Sequence, residues 1–321
     1  MNNLKKIGLS ALAGSLAAVA ANAAEFSVSG SASITMDRPH QNGGTTGNDF
    51  SMGDSLGFNA SGETDGGLGV AVYYEIDQDD MDDYDMTLSG DWGSLKFNGS
   101  GSSSAFGAVD DVMPNAYEES WDVTDTDGAA TTGSPMVIGG GGGANMFIYT
   151  SPTVAGATLT VAYQNSGGSD AAASYTDYAI AMSPEMIEGL TIGAAVSDNE
   201  VAAGGKNANK STFYAKYATG GITVGYQYSE NDHDTKSSSQ ESQAWGITYA
   251  VNDDMSIGYH SHTLEPDSGS GATEDQESTG ISASYTMGGM TIGGAINETD
   301  NSRGTAASDF ESYEFNLSFA F

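Results

Sequence analysis

The segment Tyr313-Glu314-Phe315-Asn316-Leu317-Ser318-Phe319-Ala320-Phe321 sets a large apolar side chain at almost every second position, with small or polar residues between. A β-strand points successive side chains to opposite faces, so this segment has one greasy face and one wet face. Soluble sheets alternate too; the constraint here comes from recurrence. Phe26, Val28, Ala32, Ile34 and Met36 share a face opposite Ser27, Ser29, Ser31, Ser33 and Thr35. The same period returns in Leu68/Val70/Val72/Tyr74/Ile76, in Ile222/Val224/Tyr226/Tyr228 and in Trp245/Ile247/Tyr249/Val251. Divided this way, the chain gives about sixteen strands. Tilted strands of roughly 9–11 residues are what a barrel needs to cross a bilayer. The expected fold is all-β: a transmembrane antiparallel β-barrel with lipid outside and water inside.

The connections support that topology. Short turns follow the strands ending near Ala60, Asp91, Ser151, Met182, Ala218, Ala250 and Thr286, as in Thr219-Gly220-Gly221 and Met287-Gly288-Gly289. The alternate connections are mostly longer and more polar, for example 198–210, 264–274 and 298–309. Short periplasmic turns and long extracellular loops are the barrel arrangement. An N-terminal leader fits the same destination. Lys5 and Lys6 precede an apolar run from Ile7 to Ala21, and Ala21-Asn22-Ala23 offers a small-x-small cleavage site. This reads as a signal peptide over 1–23, with the barrel domain occupying 24–321.

Charge narrows the partners. The chain carries 43 acidic against nine basic residues, a formal net charge of −34. Nucleic acid is excluded as a partner, since phosphate binding needs clustered Lys and Arg. The absence of cysteine removes thiol chemistry and disulfides.

Two stretches fit the alternation poorly. Asp54 falls on the face of Phe50, Met52, Leu56 and Phe58, which predicts a bulge or register shift there. The segment 144–150 is apolar on both faces and gives no lipid side. One connection is exceptional: 102–143 has no strand pattern, and connections of this length in a compact domain are functional or disordered. It contains Val109, Val112, Met113, Tyr117 and Trp121, so it is expected to pack against something.

At this point the chain resembles the general diffusion porins of Gram-negative outer membranes, in particular the Rhodobacter-type alphaproteobacterial group. The resemblance rests on Ala24-Glu25-Phe26-Ser27-Val28-Ser29-Gly30, on the turn Gly90-Asp91-Trp92-Gly93-Ser94-Leu95-Lys96-Phe97-Asn98-Gly99, on the acidic third connection and on the terminal Phe321. It implies a homotrimer of sixteen-stranded barrels in outer-membrane lipid, each with its third loop folded into the pore. It also implies that the assembly machinery of that membrane reads Phe321 as a signal. The departure is that such porins set arginines opposite the acidic loop, whereas this chain has only Arg38 and Arg303.

The polar face predicts a lumen lined by Glu75, Asp83, Asp85, Asp91, Lys96, Asn98, Lys216, Gln227, His260, His262, Glu314 and Asn316. Asp110, Asp111, Glu118, Glu119 and Asp122 on the long connection, with Lys96, are the candidate constriction charges. Carboxylate rings in a narrow passage favour cations. Asp79, Asp80, Asp82 and Asp83 form a candidate calcium site, because carboxylates suit hard cations; their spacing is not that of an EF-hand, and an unspecific acidic rim is the competing reading. No other cofactor is called for. His260 and His262 share a face, which admits zinc or a barrel hydrolase or protease, but no third ligand, activated nucleophile or Gly-x-Ser-x-Gly accompanies them. Trp92, Tyr217, Tyr249 and Tyr285 at strand ends read as an interfacial aromatic girdle. The expected function is passive diffusion of small hydrophilic solutes and ions through a cation-selective channel, with no catalysis. The rivals are a barrel enzyme and a plugged barrel used for adhesion or envelope anchoring.

Overall fold

A computed structural model describes residues 25–41, 44–45, 49–77, 80–121, 138–139, 144–165, 174–200, 208–234, 239–266 and 274–321. Sixteen long strands run through them. In chain order these are β1 (Glu25–Gln41), β2 (Asp49–Glu63), β3 (Gly69–Asp77), β4 (Asp80–Gly90), β5 (Gly93–Ser100), β6 (Met146–Thr150), β7 (Ala157–Gln164) and β8 (Ser174–Met182). The second half holds β9 (Leu190–Glu200), β10 (Ala208–Thr219), β11 (Ile222–His233), β12 (Gln240–Ala250), β13 (Met255–Pro266), β14 (Gln276–Met287), β15 (Met290–Asp300) and β16 (Phe310–Ala320). A two-residue bridge, Gly44–Thr45, pairs back onto the end of β1. The predicted leader, 1–23, lies outside the described residues.

Every strand pairs antiparallel with its sequence neighbour, and β16 pairs with β1, from Ser31↔Ala320 to Arg38↔Tyr313 and beyond. Beyond β16, the Phe321 N–H donates to Gly30 O (2.9 Å) and the Gly30 N–H donates to Phe321 O (2.8 Å). The Phe321 ring covers Gly30, where a Cβ would lie only 2.7 Å from ring atom Cε2. Closure leaves no unpaired edge facing lipid, the requirement for a sheet that spans a membrane. The tight ends are built where the sequence places its glycines: Gly220 and Gly221 join β10 to β11 with φ of 56° and 83°, a region costly for residues with a side chain.

Alternation decides the two faces. Tyr226, Trp245, Ile257 and Ile281 are exposed on the outside, whereas their strand neighbours Gln227, Ala244 and Ser282 are buried inside. Trp92, Tyr217, Tyr249 and Tyr285 all point outward at the short-turn end, which makes one belt of aromatic rings.

The expected irregularity at Asp54 is absent. β1 and β2 pair without a shift, Asp54 facing Ala32 in continuous register, and the carboxylate is exposed on the outer face. β3 ends at Asp77, opposite Ser55, so beyond that point β2 is flanked by β1 alone and Asp54 lies where the wall narrows to that one hairpin. The register shifts lie elsewhere, between Tyr74 and Ile76 on β3 and between Tyr84 and Asp85 on β4.

Candidate functional site

The described part of the third connection, 102–121 with 138–139, folds inward and lies along the barrel wall. At its start Asn98 on β5 holds Ser102 in both directions, Nδ2 donating to the carbonyl (3.4 Å) and Oδ1 accepting from the N–H (3.3 Å). A tight turn follows, in which the N–H groups of Gly107 and Ala108 donate to the hydroxyl and carbonyl of Ser104. The turn docks on Asp177 of β8. That carboxylate is fully buried and accepts from the N–H groups of Ala105 (3.2 Å) and Phe106 (2.8 Å) and from the Tyr175 hydroxyl (2.9 Å). Three donors satisfy a charge that would otherwise be costly in so dry a place.

The loop then runs round the wall. Gln227 of β11 donates from Nε2 to the carbonyls of Val109 (2.9 Å) and Asp110 (2.8 Å). Ser282 of β14 accepts from the N–H groups of Ala116 and Tyr117 (3.2 Å each). The Tyr117 hydroxyl donates to Glu314 of β16, and burial together with that carboxylate pushes the phenol well above its usual range, so it stays a donor. Asn297 of β15 donates to the Glu118 carboxylate (2.9 Å) and to the Glu119 carbonyl (3.2 Å). The Glu119 carboxylate accepts from Asn115. Ser120 meets His260 Nδ1 at 2.8 Å, and the Trp121 ring sits edge-on to His260 and His262 at 4.6 and 4.7 Å between centroids. Lys210 of β10 donates to Gly139 O on the returning limb.

Lumen-facing glycines make room for this path. A Cβ on Gly246 would come within 2.4 Å of Pro114 O, one on Gly225 within 2.6 Å of Pro114 Cδ, and one on Gly293 within 2.2 Å of the Tyr117 ring. Gly225 and Gly246 pair directly across β11 and β12, so the bare strip is continuous there. Beneath the first turn the lumen is apolar. Met146 and Ile148 of β6, with Ala162, Ala179 and Ala195 on the next strands, pack with Ala105, Phe106 and Val109. This resolves the doubly apolar segment: Phe147 faces outward, and Met146 and Ile148 face the loop.

The wall from β1 to β4 carries none of these contacts. There Glu75 accepts from the Ser55 (2.5 Å) and Tyr73 (2.9 Å) hydroxyls, and Asp85 pairs with Lys96 of β5 at 3.1 Å. Of the predicted constriction residues, Asp110, Asp111, Glu118 and Glu119 lie on the docked loop and Lys96 lies on β5 beside the loop's start, 3.5 Å from Ser102 Oγ, while Asp122 is outside the described residues. Of the candidate calcium ligands, Asp79 is outside them, and Asp80, Asp82 and Asp83 stand at the start of β4. Among the described residues no three His, Asp or Glu side chains are grouped to hold a metal ion.

Asp177, Asn297, Ser282 and the glycine strip were not singled out by sequence. Their only signal is that they occupy lumen-facing positions, and which of those meet the loop depends on strand register. Ser120 and His260 have the separation of a nucleophile and base, but both are buried and His260 Nε2 has no hydrogen-bond partner among the described residues. Nothing there orients the imidazole as a triad would.

Several solved structures share this architecture. The anion-selective porin from Comamonas acidovorans aligns at a TM-score of 0.67 and 14% identity, over 93% of this chain and 100% of that one. A mutant of the Rh. blastica porin aligns at 0.63 and 15%, over 92% and 100%. Salmonella typhi OmpF, in complex with daunomycin, aligns at 0.68 and 14%, over 92% and 97%. At such identities the likeness is one of fold. No curated protein matches the chain. The family described as Gram-negative porin matches residues 8–321, nearly the whole chain. With a closed outer-membrane barrel and an inward third loop, the chain belongs to the Gram-negative porin family.

Proposed function

We propose that this porin is a cation-selective diffusion channel whose narrowest passage lies between the docked third loop and the wall of β3 to β5. The observation that supports the reading is that acids occur both on the loop, Glu118 and Glu119, and on the lumen face of β3 and β4, Glu75 and Asp85, the latter paired with Lys96. Carboxylates on opposite sides of a water-filled gap favour cations and disfavour anions. The fold alone does not decide the sign, since the Comamonas acidovorans structure of the same architecture is named anion-selective. What supports cations here is the chain's own charge, −34, with few lumenal bases.

The reading carries no catalysis and passes small hydrophilic solutes by width and charge. Burial of the Ser120–His260 contact supports a packing role over a catalytic one. The assembly is proposed as a homotrimer, with barrels packed through the outer apolar faces. Single-channel recording in planar bilayers tests the channel: stepwise, ohmic conductance is expected, and a barrel that inserts without conducting favours the anchoring reading. On unheated gels the protein is expected to run as an oligomer and, after boiling, as a monomer; one heat-independent monomer band counts against the trimer.

A further inference from the structure

The outer face of the barrel has a dent on β9. Ala194 sets a small side chain between Ile180 of β8 and Phe213 of β10, its partners across the sheet. Around it lies an apolar groove of about 200 Å³, bordered also by Leu159 of β7 and, towards the loops, by Tyr178 and Val196. The same Tyr178 and Val196 border a second, polar pocket of about 430 Å³. Its lining includes Asp198, Asn209, Ser211, Glu230 and Asp232. These positions share the outward face: Tyr178, Val196, Ser211 and Glu230 stand opposite one another in one row, and Asp198, Asn209 and Asp232 form the next row towards the loops. Groove and pocket are thus continuous, apolar towards the middle of the wall and polar at its loop-side rim. A membrane amphiphile in the leaflet on that side has the same layout, chain below and head above. Tyr178 suits the boundary, since its ring is apolar and its hydroxyl polar.

Charge selects the head. The pocket carries three carboxylates, Asp198, Glu230 and Asp232, and among the described residues of β7 to β11 no basic side chain faces outward. Lys210 borders the pocket, but its ammonium donates to Gly139 O in the lumen, and Lys216 lies over the lumenal Tyr214 ring. Glu230 also stands directly opposite Glu241 of β12. Like charges so placed are destabilising, and a cation between them relieves the repulsion, the more so beside lipid, where the dielectric is low. An anionic head is repelled here. A metal ion fits poorly, because among the described residues no three His, Asp or Glu side chains are grouped to hold one. A primary ammonium brings three N–H donors to these carboxylates, and Asn209 and Ser211 offer neutral partners to the rest of the head.

We propose that the outer face of β7 to β11 is a binding site for a membrane lipid with a primary-ammonium head, its chain in the groove over Ala194 and its head among Asp198, Glu230 and Asp232. The site rests on the lipid-facing wall and not on the channel reading; in the proposed trimer it leaves these strands to lipid and the packing of barrels to others. Native mass spectrometry of the detergent-solubilised protein tests it, with phosphatidylethanolamine as probe and phosphatidylglycerol of the same acyl chains as the anionic control. Phosphatidylethanolamine is expected to be retained at least about tenfold more, one charge-assisted contact being worth a difference of that order. The triple variant Asp198→Asn, Glu230→Gln, Asp232→Asn keeps the shape and is expected to bring the probe down to the level of the control. Ala194→Leu fills the groove without touching a charge and is expected to lower retention of the probe severalfold. Each variant is first checked for heat-resistant migration on unheated gels, so that a folding failure is seen as such. Chelation with EDTA is expected to leave the preference unchanged; its loss there would mean a divalent cation bridging to phosphate and would overturn the proposal. Equal retention of the two lipids by the wild type overturns it too, as does a preference that survives the triple variant or retention unchanged in folded Ala194→Leu. Retention is read by mass and conduction by current, so a barrel that holds the lipid without conducting contradicts the channel and not the site.

Discussion

The two halves of the barrel wall obey one strand rule and present two different interiors. From β6 round to β16 the lumen face meets the loop through many small residues, glycine, alanine and serine, with Asp177, Gln227, Asn297, His260 and Glu314 set among them as anchors. From β1 to β5 the same face carries Glu75, Asp83, Asp85 and Lys96, and among the described residues none of the loop's anchoring hydrogen bonds falls on β1 to β4. The first half is a bed for the loop; the second is the bare electrode opposite it. The difference shows that alternation sets which side chains face inward, while their size and charge set what the lumen does.

Each half should fail in its own way. The bare half holds the seam, and its order depends on closure. Phe321→Asp is expected to lower outer-membrane insertion far more than Ala320→Asp, because Phe321 continues the outward row of Phe315 and Phe319 and packs over Gly30. A charge on the lipid face costs up to about 2–4 kcal/mol at the midplane and less near the interface. Heat-shifted band yield in outer-membrane fractions measures this, and equal yields would show the facing to be wrong.

The loop half should fail by releasing the loop while the barrel stays closed. Gly246→Val puts a side chain where Pro114 O lies 2.4 Å from a Cβ, so the loop must move. Gly53→Val on the bare half meets only Ser33 Oγ at 3.0 Å. Single-channel conductance is expected to rise or become noisy in the first variant and to stay as in the wild type in the second. The same response in both would erase the distinction between bed and electrode.

A finer test removes one anchor. Asp177→Ala leaves the N–H groups of Ala105 and Phe106 without their acceptor, at about 1–3 kcal/mol for each buried unsatisfied group. Faster proteolysis within the loop and a larger conductance are expected. Asp177→Asn keeps one acceptor oxygen and is expected to fall between that variant and the wild type. Unchanged proteolysis in Asp177→Ala would place the anchoring elsewhere.

The fold was legible because it is written in a local period. Strand count, closure and the alternation of turns with longer connections follow from side chains two apart and from glycine placement, as in Thr219-Gly220-Gly221. Asp54 misled because facing can be read from sequence but not which neighbours flank a position, and β2 carries this acid outward without a register shift where only β1 pairs with it. Met146 and Ile148 gave no reading because a lumen was assumed to be wet, and a docked loop makes part of it dry. The loop's acids stood out by composition. Their anchors did not, since an Asp177 that holds two backbone N–H groups looks in sequence like any lumenal acid of a porin.

The central claim, that acids on the docked loop face the narrow passage and select cations, is tested most directly by the reversal potential in a salt gradient. The wild type is expected to be cation-selective, less so as salt rises, because the Debye length shrinks from about 10 Å at 0.1 M to about 3 Å at 1 M. Neutralising Asp110, Asp111, Glu118 and Glu119 together is expected to move the potential towards zero. Neutralising Glu265, Glu274, Asp275 and Glu277, at the ends of β13 and β14, is expected to do much less. An anion-selective wild type, or equal shifts from the two sets, would contradict the account.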